Sequence, residues 1–161
     1  MRRVSVAALM LGLCAVAGAA SLSEVPEQWA DRVEPIPQQR LDELEAATAA
    51  SIRETRDRLA GMLNEPDVSA VELAAVYGRL GALYGAHRMY AGAELAFGNA
   101  RTLEPSDFRW PYYAAHIALE QGEPEQAIGL LAVAAQVDPD YPTLPLRHGE
   151  ALLGLSRLGE A

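Results

Sequence analysis

A 34-residue period in the second half of the chain constrains the fold more than any other sequence feature. Two small residues and a proline recur at this spacing: Ala93, Ala100 and Pro105 return as Ala127, Ala134 and Pro139. A fixed period of this length is typical of stacked helical hairpins, each of which buries its apolar face against its neighbours. The period therefore predicts an all-α fold. It also favours a protein that presents a surface to a partner over one that houses chemistry.

The first unit, counted from Ala74, carries a full set of packing residues. Gly81 and Ala93 are small enough for two antiparallel helices to approach closely. Pro105 ends the second helix because it lacks an N–H and disfavours helix in the residue before it. Large side chains fill the space around this contact: Tyr77, Leu80, Tyr84 and Phe97. Together with Ala100, these residues resemble the tetratricopeptide repeat (TPR) at all eight signature positions of the unit 74–107.

Two further units follow in the same register and match the TPR pattern less fully. Residues 108–141 form repeat 2, and residues 142–161 form a partial repeat 3. Pro111 and Pro145 stand where the pattern usually has an aromatic residue, so the first helices of these units are predicted to begin at about these prolines. The resemblance implies a short right-handed TPR solenoid of stacked antiparallel hairpins.

The N-terminus, residues 1–20, is predicted to be a secretory signal peptide. Arg2 and Arg3 precede an apolar stretch over 4–17, and small residues at 17–20 provide a cleavage site. The protein is therefore expected to be secreted across the inner membrane and to be periplasmic. An uncleaved anchor is the lesser alternative. Lipidation at Cys14 is disfavoured because Leu13, just before it, is not small.

The charge of the chain argues against several partners. It has 22 acidic residues against 13 arginines, no lysine, and a formal net charge of −9. Nucleic-acid binding draws its affinity mainly from neutralised phosphates, so nucleic acid and anionic membrane surfaces are not expected partners. Related helical repeats that read RNA are rejected on this ground and on their different period.

Two segments separate the signal from the repeats. Residues 21–37 hold three prolines and little periodicity, and they are predicted to be an extended leader in which Trp29 packs on the nearest helix. Residues 38–63 show apolar spacing typical of a helix. This helix is outside the repeat register and is predicted to cap the solenoid. The alternative is a coiled coil with a second copy, although Glu45 and Ser51 interrupt any heptad.

Local start and stop signals place the remaining helices of the predicted domain, 38–161. Ser69 and Glu72 form a capping box, and Gly122 and Pro124 separate two helices of repeat 2. The predicted helices after the cap run over 70–86, 90–103, 110–121, 124–137 and 144–158.

No constellation for catalysis is present in the sequence. The three histidines, His87, His116 and His148, lack the spacing of metal ligands, and there is no nucleophile elbow or phosphate-binding loop. The protein is therefore expected to be a non-enzyme with no cofactor and no metal.

In the TPR fold the first helix of each repeat lines the concave face, which implies a set of groove residues here. The predicted partner-binding residues are Arg79, Arg109, Tyr112, Tyr113, His116, Arg147 and Glu150, with Glu120 beside them. Arginine and tyrosine are typical of binding hot spots. The alternative is that Tyr112 or Tyr113 fills the core between units and that Arg147 pairs with Glu150.

The leading hypothesis is an extracytoplasmic scaffold for envelope assembly that binds a protein or peptide in this groove. One alternative is the N-terminal interaction segment of a longer envelope enzyme or cofactor protein. Another is an envelope-polysaccharide module, in which Trp110, Tyr112 and Tyr113 would stack on sugars. The apolar face of helix 144–158 also allows self-association, since Leu146, Leu152, Leu153 and Leu155 lie on it.

Overall fold

The computed structural model describes residues 22–158, and within them every regular element is helical. A short 3-10 turn is followed by six α-helices. These elements are the turn Glu27–Trp29, α1 (Ala46–Leu63), α2 (Ala70–Ala86), α3 (Tyr90–Leu103), α4 (Arg109–Gln121), α5 (Pro124–Val137) and α6 (Leu144–Leu158). The predicted all-α class is confirmed. The predicted signal peptide, 1–20, lies outside the described residues.

The helix predicted over 38–63 begins only at Ala46, so this prediction was eight residues too long at its start. Gln28 Nε2 donates to the Leu63 carbonyl at 2.8 Å, whereas the Ile36 carbonyl lies beside Arg56. The segment before α1 therefore runs antiparallel to α1. The chain must turn back before the helix starts, and residues 38–45 make that reversal. Leu41 reaches the core from the turn instead of from a helix.

The predicted capping box starts α2, and glycines let α3 pack against it. Ser69 Oγ accepts the Glu72 N–H at 3.2 Å, while Glu72 Oε2 accepts the Ser69 N–H at 3.1 Å. A Cβ built on Gly81 would lie 2.9 Å from the Phe97 ring, and one on Gly85 would lie 4.0 Å from the Ala93 Cβ. Since the later position on α2 meets the earlier one on α3, the two helices are antiparallel.

The contact between α2 and α4 also depends on glycine. A Cβ built on Gly78 would lie 2.1 Å from Trp110 Cζ3, and one on Gly85 would lie 2.6 Å from Ile117 Cδ1. Both pairs are 32 residues apart, so α2 and α4 run in the same direction. Helix α4 pairs with α5, α3 with α4, and α5 with α6, so neighbouring helices pack in chain order.

Two apolar clusters result, and they differ in composition. The first joins the segment before α1 to α1, α2, α3 and one side of α4, and its fully buried side chains include Tyr77, Tyr84 and Phe97. The second joins α4, α5 and α6 and is mostly alanine, with Tyr112, Leu131 and Leu144 as its large buried members. The predicted leader contributes to the first cluster: Trp29, Val33 and Ile36 are all buried.

Candidate functional site

A groove between α2 and α4, closed at one end by the turn into α3, is the strongest candidate site. It encloses about 590 Å³. Its lining residues are Gly81, Ala82, Gly85, Ala86, Arg88, Tyr90, Phe97, Tyr113, His116, Ile117 and Glu120. We refer to it as the α2–α4 groove. Helices α2 and α4 are in contact at Gly78 and Gly85. The groove nevertheless stays open, because four small residues of α2 form one of its walls.

The floor of the groove is apolar and its rim is polar. Phe97 and Ile117 are buried beneath the small residues of α2. The Tyr113 ring packs 5.8 Å from that of Phe97 and remains 40% exposed. A pocket of this kind buries an apolar group of a ligand and leaves polar groups to fix its orientation.

Arg88 stands at the rim in a strained backbone conformation. Its φ is 59°, in the left-handed region that L-residues other than glycine rarely adopt. Its Nε donates to the Tyr90 hydroxyl at 3.0 Å. This hydrogen bond raises the pKa of the Arg88 guanidinium, with a smaller contribution from the charge of Glu120. Gly122 occupies the corresponding turn 34 residues later, with φ 76°.

His116 lines the groove and has one buried polar atom without a partner in the described part of the chain. Its side chain is partly buried, and its Nδ1 is shielded from solvent with no hydrogen-bond partner among the described residues. Buried polar groups in folded proteins nearly always have a partner. His116 Nδ1 is therefore an unsatisfied polar atom in the wall of the groove.

The structure brings two of the predicted site residues, Tyr113 and His116, into this groove. Arg79 lies elsewhere, in a crevice against α1 beside Glu54 and Arg58. Arg79 therefore does not face the α2–α4 groove.

Arg109 is tied to the residue two positions before it. Its Nε lies 2.9 Å and 2.8 Å from the two carboxylate oxygens of Asp107, and its guanidinium sits 4.7 Å above the centre of the Trp110 ring. Partial burial would raise the pKa of Asp107, but the hydrogen bonds and charge of Arg109 together outweigh it and lower that pKa. This contact fixes the start of α4.

Tyr112, Arg147 and Glu150 form a second cluster, between α4 and α6. The Tyr112 hydroxyl lies 2.7 Å from the Thr143 hydroxyl, and the Tyr112 ring is buried. Arg147 Nη1 donates to Glu150 Oε2 at 2.8 Å. Hydrogen bonding to Tyr112, and then to Glu150, raises the pKa of Arg147. This arrangement agrees with the alternative interpretation of the sequence, in which Tyr112 fills the core and Arg147 pairs with Glu150.

Sequence reasoning did not find Arg88 or Tyr90. A signal was present: aligning the units at 34 residues places Arg88 over Gly122, which is an arginine where the next hairpin has a turn glycine. Within residues 22–158 no group of three or more His, Cys, Asp or Glu side chains is placed to hold a metal ion. No helix in that range combines the length and apolar character needed to cross a bilayer.

Over residues 22–158 the chain is thus an all-α protein of packed neighbouring helices, with a polar-rimmed groove between α2 and α4. Comparison with protein-family models, with curated proteins and with solved structures finds no match to this chain.

Proposed function

We propose that this chain is a non-enzymatic extracytoplasmic scaffold of the TPR type, a short right-handed solenoid that binds a protein or peptide segment in the α2–α4 groove. The 34-residue period, the antiparallel pairing of α2 with α3 and the common direction of α2 and α4 support the TPR assignment. The predicted signal peptide supports export to the periplasm, where envelope assembly is the expected role.

The strained backbone at Arg88 is the observation that carries the choice of groove. A left-handed residue other than glycine costs about 1 kcal/mol, and Gly122 occupies the corresponding turn without that cost. Strain of this kind concentrates at binding sites, where a side chain is held for use. Arg88 extends from the turn to the rim of the groove, where Glu120 also lies.

The lining of the groove indicates the chemistry of the ligand. Phe97 and Ile117 accept an apolar side chain, while Arg88 attracts a carboxylate at the rim. Tyr113 adds an exposed aromatic surface, which is common among binding hot spots. The best fit is a peptide segment with an apolar anchor and a nearby acidic group.

The experiment fills the groove with a bulky side chain introduced on α2. The same substitution at a second alanine of α2, outside the groove, is the control. Ala82 lines the groove, and Ala75 is also exposed but lies outside it. A photoreactive residue in place of Tyr113 is used to crosslink envelope proteins in cells, with the same residue in place of exposed Val71 as the background. We expect Ala82→Trp to abolish the adducts specific to position 113 and Ala75→Trp to leave them unchanged. Equal adducts in both variants would refute the proposed groove.

The polysaccharide alternative has less support. Trp110 is only 4% exposed, between Arg109 and Gly78, and Tyr112 is 8% exposed. Of the three aromatic residues proposed to stack on sugars, Tyr113 is the one that is exposed. Cell-wall glycan that sediments with the protein, and no longer does so after Tyr113→Ala, would favour this alternative.

A further inference from the structure

A second groove, between α1 and α3, is filled by the chain's own leader. Helices α1 and α3 both pack on α2 but hardly on each other. Residues 30–34 and one face of α3, at 94–102, line the two sides of a single crevice. The carbonyls of Ile36 and Pro37 lie beside Arg56 of α1. We refer to this cleft as the α1–α3 groove.

The leader runs antiparallel to both helices. Gln28 contacts Leu63 at the end of α1, and Ile36 contacts Arg56 two turns earlier. Along α3, Glu34 pairs with Asn99, and five residues later the Gln39 amide lies near Gly92. Residues 33–37 therefore pass along the groove outside any helix, and we refer to them as the leader strand.

The groove reads the main chain of this strand. The Glu34 N–H donates to Asn99 Oδ1 at 2.7 Å, and Asn99 Nδ2 donates to the Glu34 carbonyl at 2.8 Å. Arg56 donates to the Pro37 carbonyl at 3.4 Å and the Ile36 carbonyl at 3.5 Å. Asn99 and Arg56 are each 3% exposed with residues 33–37 in place, and they lie on α3 and α1 respectively, so two helices of the scaffold supply the polar groups that meet this strand.

Only two side chains of the strand are used. Val33 and Ile36, three residues apart, are 5% and 1% exposed. Glu34, Pro35 and Pro37 point to solvent. The prolines hold the backbone extended, because proline fixes its own φ and restricts the residue before it. The chemical requirement of the groove is therefore apolar–x–Pro–apolar–Pro, read through one amide pair and two carbonyls.

We propose that the α1–α3 groove is a binding site for extended segments of this pattern, and that a partner protein presenting one displaces the chain's own residues 33–37. This site is separate from the α2–α4 groove and does not depend on the function proposed for it. In extended-peptide recognition, hydrogen bonds to the main chain give affinity, while pockets for individual side chains give specificity.

Tethering explains why the leader occupies the site in the resting protein. A ligand joined to its site by a short linker has an effective concentration in the millimolar range. A free segment of the same sequence must exceed that concentration to compete. If the link between leader and α1 is cut, the leader loses this advantage of high effective concentration. A free peptide of the same sequence can then replace it at concentrations near the dissociation constant, so the affinity of the site itself can be measured.

The test uses the full chain with a site for a sequence-specific protease inserted between the exposed residues Asp42 and Glu43. The protein is folded, cut, and mixed with a fluorescein-labelled peptide of residues 22–40. We expect the cut protein to bind the peptide at least 100-fold more tightly than the uncut protein does. Loss of helical circular dichroism on cutting, or no exchange of the peptide after cutting, would overturn the proposal, because the leader would then be a permanent part of the core.

Two further peptides separate main-chain recognition from general stickiness. Glu34→Pro removes the N–H that donates to Asn99, whereas Glu34→Ala removes only an exposed side chain. We expect the proline peptide to bind at least tenfold more weakly than the labelled parent and the alanine peptide to bind equally well. Equal binding of all three would overturn the assignment of Asn99 as the reader of the strand.

Discussion

The two helical hairpins share one sequence register but are stabilised to different degrees. The α2–α3 hairpin is covered by the leader and α1 on one side and by α4 on the other, and it buries aromatic and leucine side chains. The α4–α5 hairpin packs against α6 through a core made mostly of alanine. Buried aromatic side chains each remove 150–250 Å² from water, far more than alanine does. The comparison teaches that a repeat register fixes where helices pack, whereas side-chain volume fixes how firmly.

The outer face of the first hairpin is also more fully covered than that of the second. Asn99 on α3 is buried under the leader, whereas Val133, 34 residues later on α5, is 37% exposed. Val137 on α5 and Leu146 and Leu153 on α6 are also exposed. The second hairpin thus keeps apolar surface where the first is covered.

The largest expected effect tests the two cores directly. Phe97 and Leu131 occupy the same register position and are each 2% exposed. We expect Phe97→Ala to lower the free energy of unfolding by about 3–5 kcal/mol. Leu131→Ala should lower it by about 2 kcal/mol, because the small residues around it leave less packing to lose. Urea unfolding followed by circular dichroism measures both, and equal losses would contradict the inequality of the cores.

A glycine pair gives the next largest effect. Gly78 is in contact with Trp110, whereas Gly129 in α5 has no atom within 4 Å of a Cβ built on it. Gly78→Ala is expected to lower the free energy of unfolding by about 1–3 kcal/mol through overpacking. Gly129→Ala is expected to raise it by about 0.5–1 kcal/mol through helix propensity. The same sign for both changes in thermal unfolding would show that α2 and α4 do not depend on this contact.

The contact of Asp107 with Arg109, at the junction of the hairpins, predicts a pH dependence. The lowered pKa of Asp107 means that its ionised form stabilises the fold. That stabilisation is present above the ordinary pKa of 3.8 and is lost as pH falls through the lowered value. Asp107→Asn is expected to cost about 1 kcal/mol at pH 7 and less at pH 3.

Urea titrations of both proteins at the two pH values measure this difference. Asp140→Asn changes an exposed carboxylate in the next loop and serves as the control. A cost for Asp107→Asn that stays the same at both pH values would remove the electrostatic explanation.

Helix positions were largely predictable from the sequence, while the sites were predictable only in part. Capping at Ser69, the glycine at 122 and the period itself are local signals, and the helices after α1 begin and end within one residue of the predicted positions. The start of α1 was missed because the reversal at 38–45 depends on tertiary contacts of the leader with Arg56 and Asn99. No local pattern reports such contacts. Likewise, Arg109 carries the positive charge that the sequence predicts for a groove, but its guanidinium is paired with the nearby carboxylate of Asp107.

The smallest effect on stability is the most informative about function, because it sets the two turns against each other. Arg88 and Gly122 occupy corresponding left-handed positions in the two hairpins. Each can therefore be replaced by the residue that the other hairpin has there. Arg88→Gly removes strain and is expected to raise the free energy of unfolding by about 0.5 kcal/mol, whereas Gly122→Arg introduces strain and should lower it by about 1 kcal/mol. Thermal unfolding measures both.

If Arg88 is held for binding, the stabilised Arg88→Gly variant should lose the crosslinks formed from position 113, while the destabilised Gly122→Arg variant keeps them. Crosslinking that follows stability instead would mean that Arg88 serves the fold and that the first hairpin differs from the second only in its core.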